Sequence, residues 1–209
     1  ENDVILYVQR FEKKNVSDST LKSILGLAYS QKKQFNLANT FYYESINLNN
    51  TNSDVYTLLG DNFLAAGDFT NAKLNYNKSL QIKPNNKMAL NNLAALNYFI
   101  GDFIEAENIY ELSIRSNNNN YDAHYNLAQC QLAQANFNKG WINYKYRWLA
   151  NKFNSNKLKI NLPEFNLKKD KKNLLLWSEQ GVGDQILFLR FLKDLEPYVD
   201  NLFIKIDPR

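Results

Sequence analysis

The sequence predicts a mainly α chain: an α-superhelix of four 34-residue helix-turn-helix repeats, followed by a short β-α-β unit. Three observations predict it. The sequence matches itself at a fixed offset of 34 residues, turn residues recur between the halves of each repeat, and the hydrophobic period changes after Lys172 from helical spacing to short continuous apolar runs. The 209 residues, 44% of them hydrophobic, suffice for a sizeable core.

The repeat comes first in the chain. At the 34-residue offset Leu25-Gly26, Leu59-Gly60, Leu93-Ala94 and Leu127-Ala128 align. Phe35, Phe69, Phe103 and Phe137 follow, then Ala38, Ala72, Ala106 and Gly140, then Tyr42, Tyr76, Tyr110 and Tyr144. This defines repeats at 19–52, 53–86, 87–120 and 121–154, and residues 4–14 within the leading 1–18 read as the second helix of an incomplete preceding repeat. A small residue lets two antiparallel helices approach closely, and the Leu and the aromatic fill the gap between neighbours. Gly67-Asp68 and Gly101-Asp102 mark turns, whereas the first and fourth repeats have Lys33-Gln34 and Ala135-Asn136 there.

The second copy, Tyr56-x2-Leu59-Gly60-x2-Phe63, then Ala72-x3-Tyr76 and Pro84, resembles the tetratricopeptide repeat. Such pairs stack into a curved array whose first helices line the concave face, the expected groove for a protein or peptide partner. The lining positions are Thr57, Asp61 and Leu64, then Asn91, Ala95 and Tyr98, then Tyr125, Gln129 and Leu132, a mixed and nearly uncharged set. None is Lys, so the Lys and Asn cluster by which chaperone-binding relatives capture a C-terminal carboxylate is missing. Asn92 and Asn126 precede Leu93 and Leu127, where the arrangement is similar to the Asn ladder of the O-linked N-acetylglucosamine transferase superhelix. That resemblance implies that each carboxamide bonds an extended peptide backbone. In a chain so rich in Asn they also read as incidental surface amides.

Other functions are excluded or weakened by scarcity. One Cys and one His rule out a disulfide framework, a zinc ribbon and any site needing two imidazoles, so no metal site is expected. Cys130 reads as a reduced packing residue and His124 as a structural or surface one. No secretory signal is evident and the best apolar run, Ile186 to Leu192, is interrupted by Arg190; a cytoplasmic protein without a membrane span is the expectation, its oligomeric state open.

Residues 139–172 carry ten basic side chains against Glu164 and Asp170, a local net of +8 that leaves −4 for the rest of a +4 chain. Lys dominates and aromatics are sparse after Phe153, so a solvated linker at 155–173 is favoured over a nucleic-acid surface. Just before it, the second helix of the fourth repeat runs Gly140-Trp141-x2-Tyr144-x-Tyr146-Arg147-Trp148, an apolar surplus that suggests docking against another domain.

Beyond the linker, Asn173–Trp177 reads as a buried parallel strand, Ser178–Asp184 as a loop, Gln185–Leu195 as a helix and Leu202–Ile206 as a second strand. This is the order of a Rossmann-like opening. Gly181 and Gly183 beside a helix N-terminus suit an anion, and Asp207 is placed to meet a ribose, which leaves a nucleotide-binding enzyme open; Ile186 stands where that fingerprint needs a small residue.

The segment Leu174–Asp184, preceded by the Gly-Trp helix and Leu162-Pro163-Glu164-Phe165, resembles bacterial TPR-linked glycosyltransferases, with the resemblance covering 19–209. It implies a GT-B architecture, a nucleotide-sugar donor and no obligatory metal. More distantly, Gly183-Asp184 looks like the opening of heptosyltransferase-type enzymes, which makes Asp184 the implied general base on the acceptor hydroxyl. Capping of the following helix is the alternative role for Asp184. Glu179, Gln180, Gly181 and Gly183 would shape the substrate loop. Residues 174–209 amount to one β-α-β unit where GT-B needs two complete α/β domains, so the expectation is the first unit of a longer catalytic region, inactive by itself. The expected role is a protein-binding array presenting acceptors to an attached transferase, and a non-catalytic scaffold is the competing class.

Overall fold

The structure is a computed structural model and describes residues 18–151, 153, 155, 157–161, 165, 172–178, 186 and 189–205. The chain divides into two units, residues 1–150 and 151–209. The helix expected at 4–14 lies outside the described residues, as do Glu179, Gln180, Gly181, Gly183, Asp184 and Asp207.

The first unit is a helical superhelix. Its first helices are α1 (Ser19–Gln31), α3 (Ser53–Ala65), α5 (Lys87–Phe99) and α7 (Tyr121–Ala133). The second helices are α2 (Phe35–Leu48), α4 (Phe69–Ile82), α6 (Phe103–Ser116) and α8 (Phe137–Tyr144). Each first helix begins at a side-chain cap, supplied by Asp18, Asn52, Asn86 and Asn120 at the same 34-residue interval. An oxygen accepting from an otherwise orphaned backbone N–H is what fixes a helix start. Asp68 and Asp102 cap α4 and α6 in the same way, while Gln34 and Asn136 make no side-chain cap.

The turns between paired helices need one residue in the left-handed region. Gly67 and Gly101 supply it at φ +83° and +85°, and Lys33 and Ala135 adopt φ 60° and 57° at the same place despite carrying a Cβ.

Packing within each repeat follows the small-to-aromatic pairing. A Cβ added to Gly26 would lie 2.6 Å from the Tyr42 ring, and one added to Gly60 would lie 2.6 Å from the Tyr76 ring. Tyr42, Tyr76 and Tyr110 are buried with Leu25, Leu59 and Leu93, and Ala38, Ala72 and Ala106 sit beneath them. The fourth copy departs. The helix expected to run through Trp148 ends at Tyr144 and tightens into a 3-10 turn, Lys145–Leu149. There Tyr146 folds back to stack on His124 at 4.0 Å between ring centroids, and Tyr144 is only half-buried. Aromatic stacking against α7 replaces the packing that a following repeat gives the other second helices.

Polar contacts fix the register between repeats. Asn39 accepts from Asn62 at 2.7 Å, Lys73 donates to Asn97 at 2.8 Å and Glu107 accepts from Gln131 at 3.0 Å, each joining a second helix to the next first helix. Within the first three repeats, Ser45, Ser79 and Ser113 form a second buried series that ties the second helix to the first helix of the same repeat, Ser45 donating to Ser19 O at 2.7 Å and the others bonded to Thr57 and Asn91. Buried polar groups are tolerable where they are paired, and a shifted register would unpair those that join repeats; among the described residues Asn62 Oδ1 is buried without a partner.

In the second unit β1 (Lys172–Trp177) pairs in parallel with β2 (Val199–Lys205), with Leu174 opposite Leu202 and Leu176 opposite Ile204. Parallel neighbours require a crossover. Within it, the described continuous helix is α9 (Leu192–Leu195), followed by a 3-10 turn at Glu196–Tyr198; Arg190 and Phe191 lie in a turn where the expected helix would have continued. Described residues of β1 are half-buried or exposed, not buried as expected, and Phe203 and Ile204 of β2 are exposed, since two strands cannot cover their own faces.

Candidate functional site: the inner face of the repeats

Successive first helices touch one another along the unit, which puts α1, α3, α5 and α7 side by side on its inner face. Spacing of i, i+4, i+7 and i+11 places Asp54, Leu58, Asp61 and Ala65 in one row on α3, Met88, Asn92, Ala95 and Phe99 on α5, and Asp122, Asn126, Gln129 and Ala133 on α7. Every one of these twelve is exposed or half-buried, flanked by the buried Leu59, Leu93 and Leu127.

Asp61 is the most constrained group in these rows. The Tyr76 hydroxyl donates to its Oδ1 at 2.7 Å and the Asn92 Nδ2 donates to the same oxygen at 2.6 Å. Burial raises its pKa above the ordinary Asp value, and the hydrogen bonds from Tyr76 and Asn92 oppose that rise without cancelling it. Burial also pushes the Tyr76 hydroxyl up, with the Asp61 bond acting in the same direction, so Tyr76 remains a proton donor at neutral pH.

Each predicted groove residue has a defined place. Thr57 departs from expectation: it is 1% exposed and bonded to Ser53 O and Ser79, because it faces the α4 junction and not the groove. Asn91 accepts from Ser113 at 3.2 Å. Asn92 is joined to Asp61, and Asn126 hydrogen-bonds the Tyr110 hydroxyl, so both amides have protein partners at repeat junctions. Tyr98 packs on Phe103 at 5.4 Å and Tyr125 on Tyr144 at 5.7 Å between centroids. Gln129, Leu64 and Leu132 are half-buried and Ala95 is exposed. The structure thus brings Asp61, Asn92 and Tyr76 together.

The sequence reading missed two acidic positions, Asp54 and Asp122. They lie in the same register column, one turn nearer the helix start than Leu58 and Asn126, and the offset alignment that found the Leu and Tyr columns also contains them. The inner rows therefore carry Asp54, Asp61 and Asp122 and no Lys or Arg, an acidic face in a chain of net +4.

Two further expectations concern reactive groups. Cys130 is buried within α7 and its thiol is pushed up to about 12, by burial first and by the Glu107 charge second, which makes it a packing residue and not a nucleophile. His124 is held by Asn143, Asn118 O and the Tyr146 ring. Among the described residues no group of three or more metal-ligating side chains converges, and no helix is long and apolar enough to cross a membrane.

Residues 53–86 match the family model of the tetratricopeptide repeat, the span from the start of α3 to the Asn86 cap. The helical unit has the fold of a tetratricopeptide-repeat superhelix. Solved structures with this fold include MamA, at TM-score 0.62 and 15% identity over 68% of this chain and 83% of that one. YrrB, described as a TPR protein with an unusual peptide-binding site, aligns at TM-score 0.57 and 16% identity over 69% and 76%. The first TPR of Spaghetti (RPAP3), bound to an HSP90 peptide, aligns at 0.53 and 18% identity over 56% and 94%. No curated protein matches the sequence. At these identities the likeness is one of fold.

Proposed function

We propose that the TPR unit holds an extended segment of a partner protein along its inner face and presents it as acceptor to a nucleotide-sugar-dependent glycosyltransferase region that begins with residues 174–209. The observation that carries the peptide-binding half is the set of inner rows, where exposed apolar residues (Met88, Phe99) alternate with amides and carboxylates on helices whose register is fixed by buried polar contacts. A rigid surface loses little entropy on binding, and amides offer both a donor and an acceptor to an extended backbone. The peptide-binding site of YrrB and the HSP90 peptide bound by the first TPR of Spaghetti (RPAP3) support the same use of this fold.

The transferase half rests on the parallel pairing of β1 with β2 and on the Ser178–Asp184 segment between strand and helix, in the order the resemblance requires. Asp184 would take the proton of the acceptor hydroxyl as its oxygen attacks the anomeric carbon, and Glu179 and Gln180 would orient the acceptor beside Gly181 and Gly183. A cytoplasmic location suits a chain whose single thiol is free.

Panning a random peptide library against the 209-residue chain tests the first half: retained peptides should lose affinity for the Gln129→Ala and Asn92→Ala variants, and a wild-type chain that retains none refutes it. For the second half, the parent protein is assayed with nucleotide sugars. Asp184→Asn should slow transfer by roughly 10²- to 10⁴-fold. No transfer with any donor would leave the scaffold reading.

A further inference from the structure

The inner face carries a charge pattern that the peptide-binding reading leaves unused. Asp61 Oδ1 accepts two hydrogen bonds, from Tyr76 and Asn92, and these fix the orientation of the carboxylate. No hydrogen bond or ion pair reaches Oδ2 from any described residue, and the ion pairs of Lys22 with Glu44 and of Arg115 with Glu111 lie elsewhere. The equivalent position in the next repeat is Ala95, exposed and too short to reach across. The other charged residue of the same row is Asp54, about two turns nearer the start of α3 and of the same sign.

We propose that the groove selects peptides carrying a lysine or arginine, whose cationic head pairs with Oδ2 of Asp61 while the Tyr76 hydroxyl and the Asn92 amide hold Oδ1. The proposal rests on the peptide-binding reading and supplies its ligand chemistry. A partly desolvated carboxylate oriented by two donors loses little freedom on pairing with a cation, and an acidic surround excludes peptides of like charge. Neighbouring apolar side chains, Leu58 and Leu64, can pack against the methylene stem of the long basic residue.

The test pans a random peptide library against the wild-type chain, Asp61→Asn and Ala95→Lys, sequencing the retained peptides. Asp61→Asn keeps the acceptor for Tyr76 and Asn92, and Ala95→Lys places an ammonium from the chain itself beside an intact Asp61. The wild type should enrich Lys or Arg at one peptide position, and replacing that residue by Gln in a retained peptide should weaken binding about tenfold or more. Both variants should retain peptides but lose the enrichment; circular dichroism reports whether each remains folded, and either folded variant suffices. Lys-only or Arg-only enrichment distinguishes a point-charge site from a bidentate one, and both support the assignment. Retention without cation enrichment, or enrichment that survives in a folded variant, overturns the cation assignment and leaves the groove reading standing. A wild-type chain that retains no peptide overturns both.

Discussion

Tyr76→Ala tests the packing at the centre of the array. The ring is fully buried, lies against Gly60 so closely that a Cβ there would sit 2.6 Å away, and its hydroxyl donates to Asp61 at 2.7 Å. Truncating a buried aromatic costs about 3–5 kcal/mol, because the lost transfer energy is joined by a cavity that rigid helices cannot close. Tyr76→Phe separates the terms: the ring stays, Asp61 loses one of its two donors, and the cost should be about 1–3 kcal/mol, as for a hydrogen bond to a charged acceptor. Tyr144→Ala, at the half-buried fourth-repeat position, should cost less than Tyr76→Ala. Urea unfolding of the whole chain, followed by far-UV circular dichroism, ranks all three. In a solenoid the central variant should also lower the m-value if the array then unfolds in two parts. A Tyr76→Ala change below about 1 kcal/mol, or a Tyr144→Ala cost equal to it, would refute the assignment of this ring as the keystone of the second repeat.

Gly60→Ala should lower stability by about 1–2 kcal/mol in the same assay, since overpacking against the Tyr76 ring outweighs the helix propensity gained. Replacing Lys33 or Ala135 by Gly should instead add about 0.5–1 kcal/mol by relieving a left-handed conformation. Asp61→Asn should melt above the wild type at neutral pH. The folded-state pKa of Asp61 is raised, so its contribution is fully favourable below 3.8 and is lost as the pH rises through the folded value. The gap between the two melting temperatures should therefore narrow as the pH falls toward 3.8.

Much of the helical unit was legible because a repeat declares its own register. Leu59, Gly60, Tyr76 and their counterparts recur at one offset, and the structure places all but the half-buried Tyr144 in the core as the pairing of small and aromatic residues requires. The groove was legible only in part. Thr57 shares the first-helix periodicity of a lining residue, yet its small hydroxyl fits the buried junction with Ser79, a distinction helical periodicity alone cannot make. Asn92 and Asn126 were visible as columns, but their partners, Asp61 and Tyr110, stand 31 and 16 residues away in sequence.

By itself, the sequence determined the repeat length, the cap and turn positions and the buried columns, because these follow from local hydrogen bonding and a 3.6-residue period that every repeat restates. The tertiary structure alone decided which polar groups pair across repeats, that the last helix stops at Tyr144 where Tyr146 stacks on His124, and that an acidic row faces the groove with Asp61 held by Tyr76 and Asn92. Those outcomes depend on how helices from different repeats approach one another, and that geometry exists only once the array is stacked.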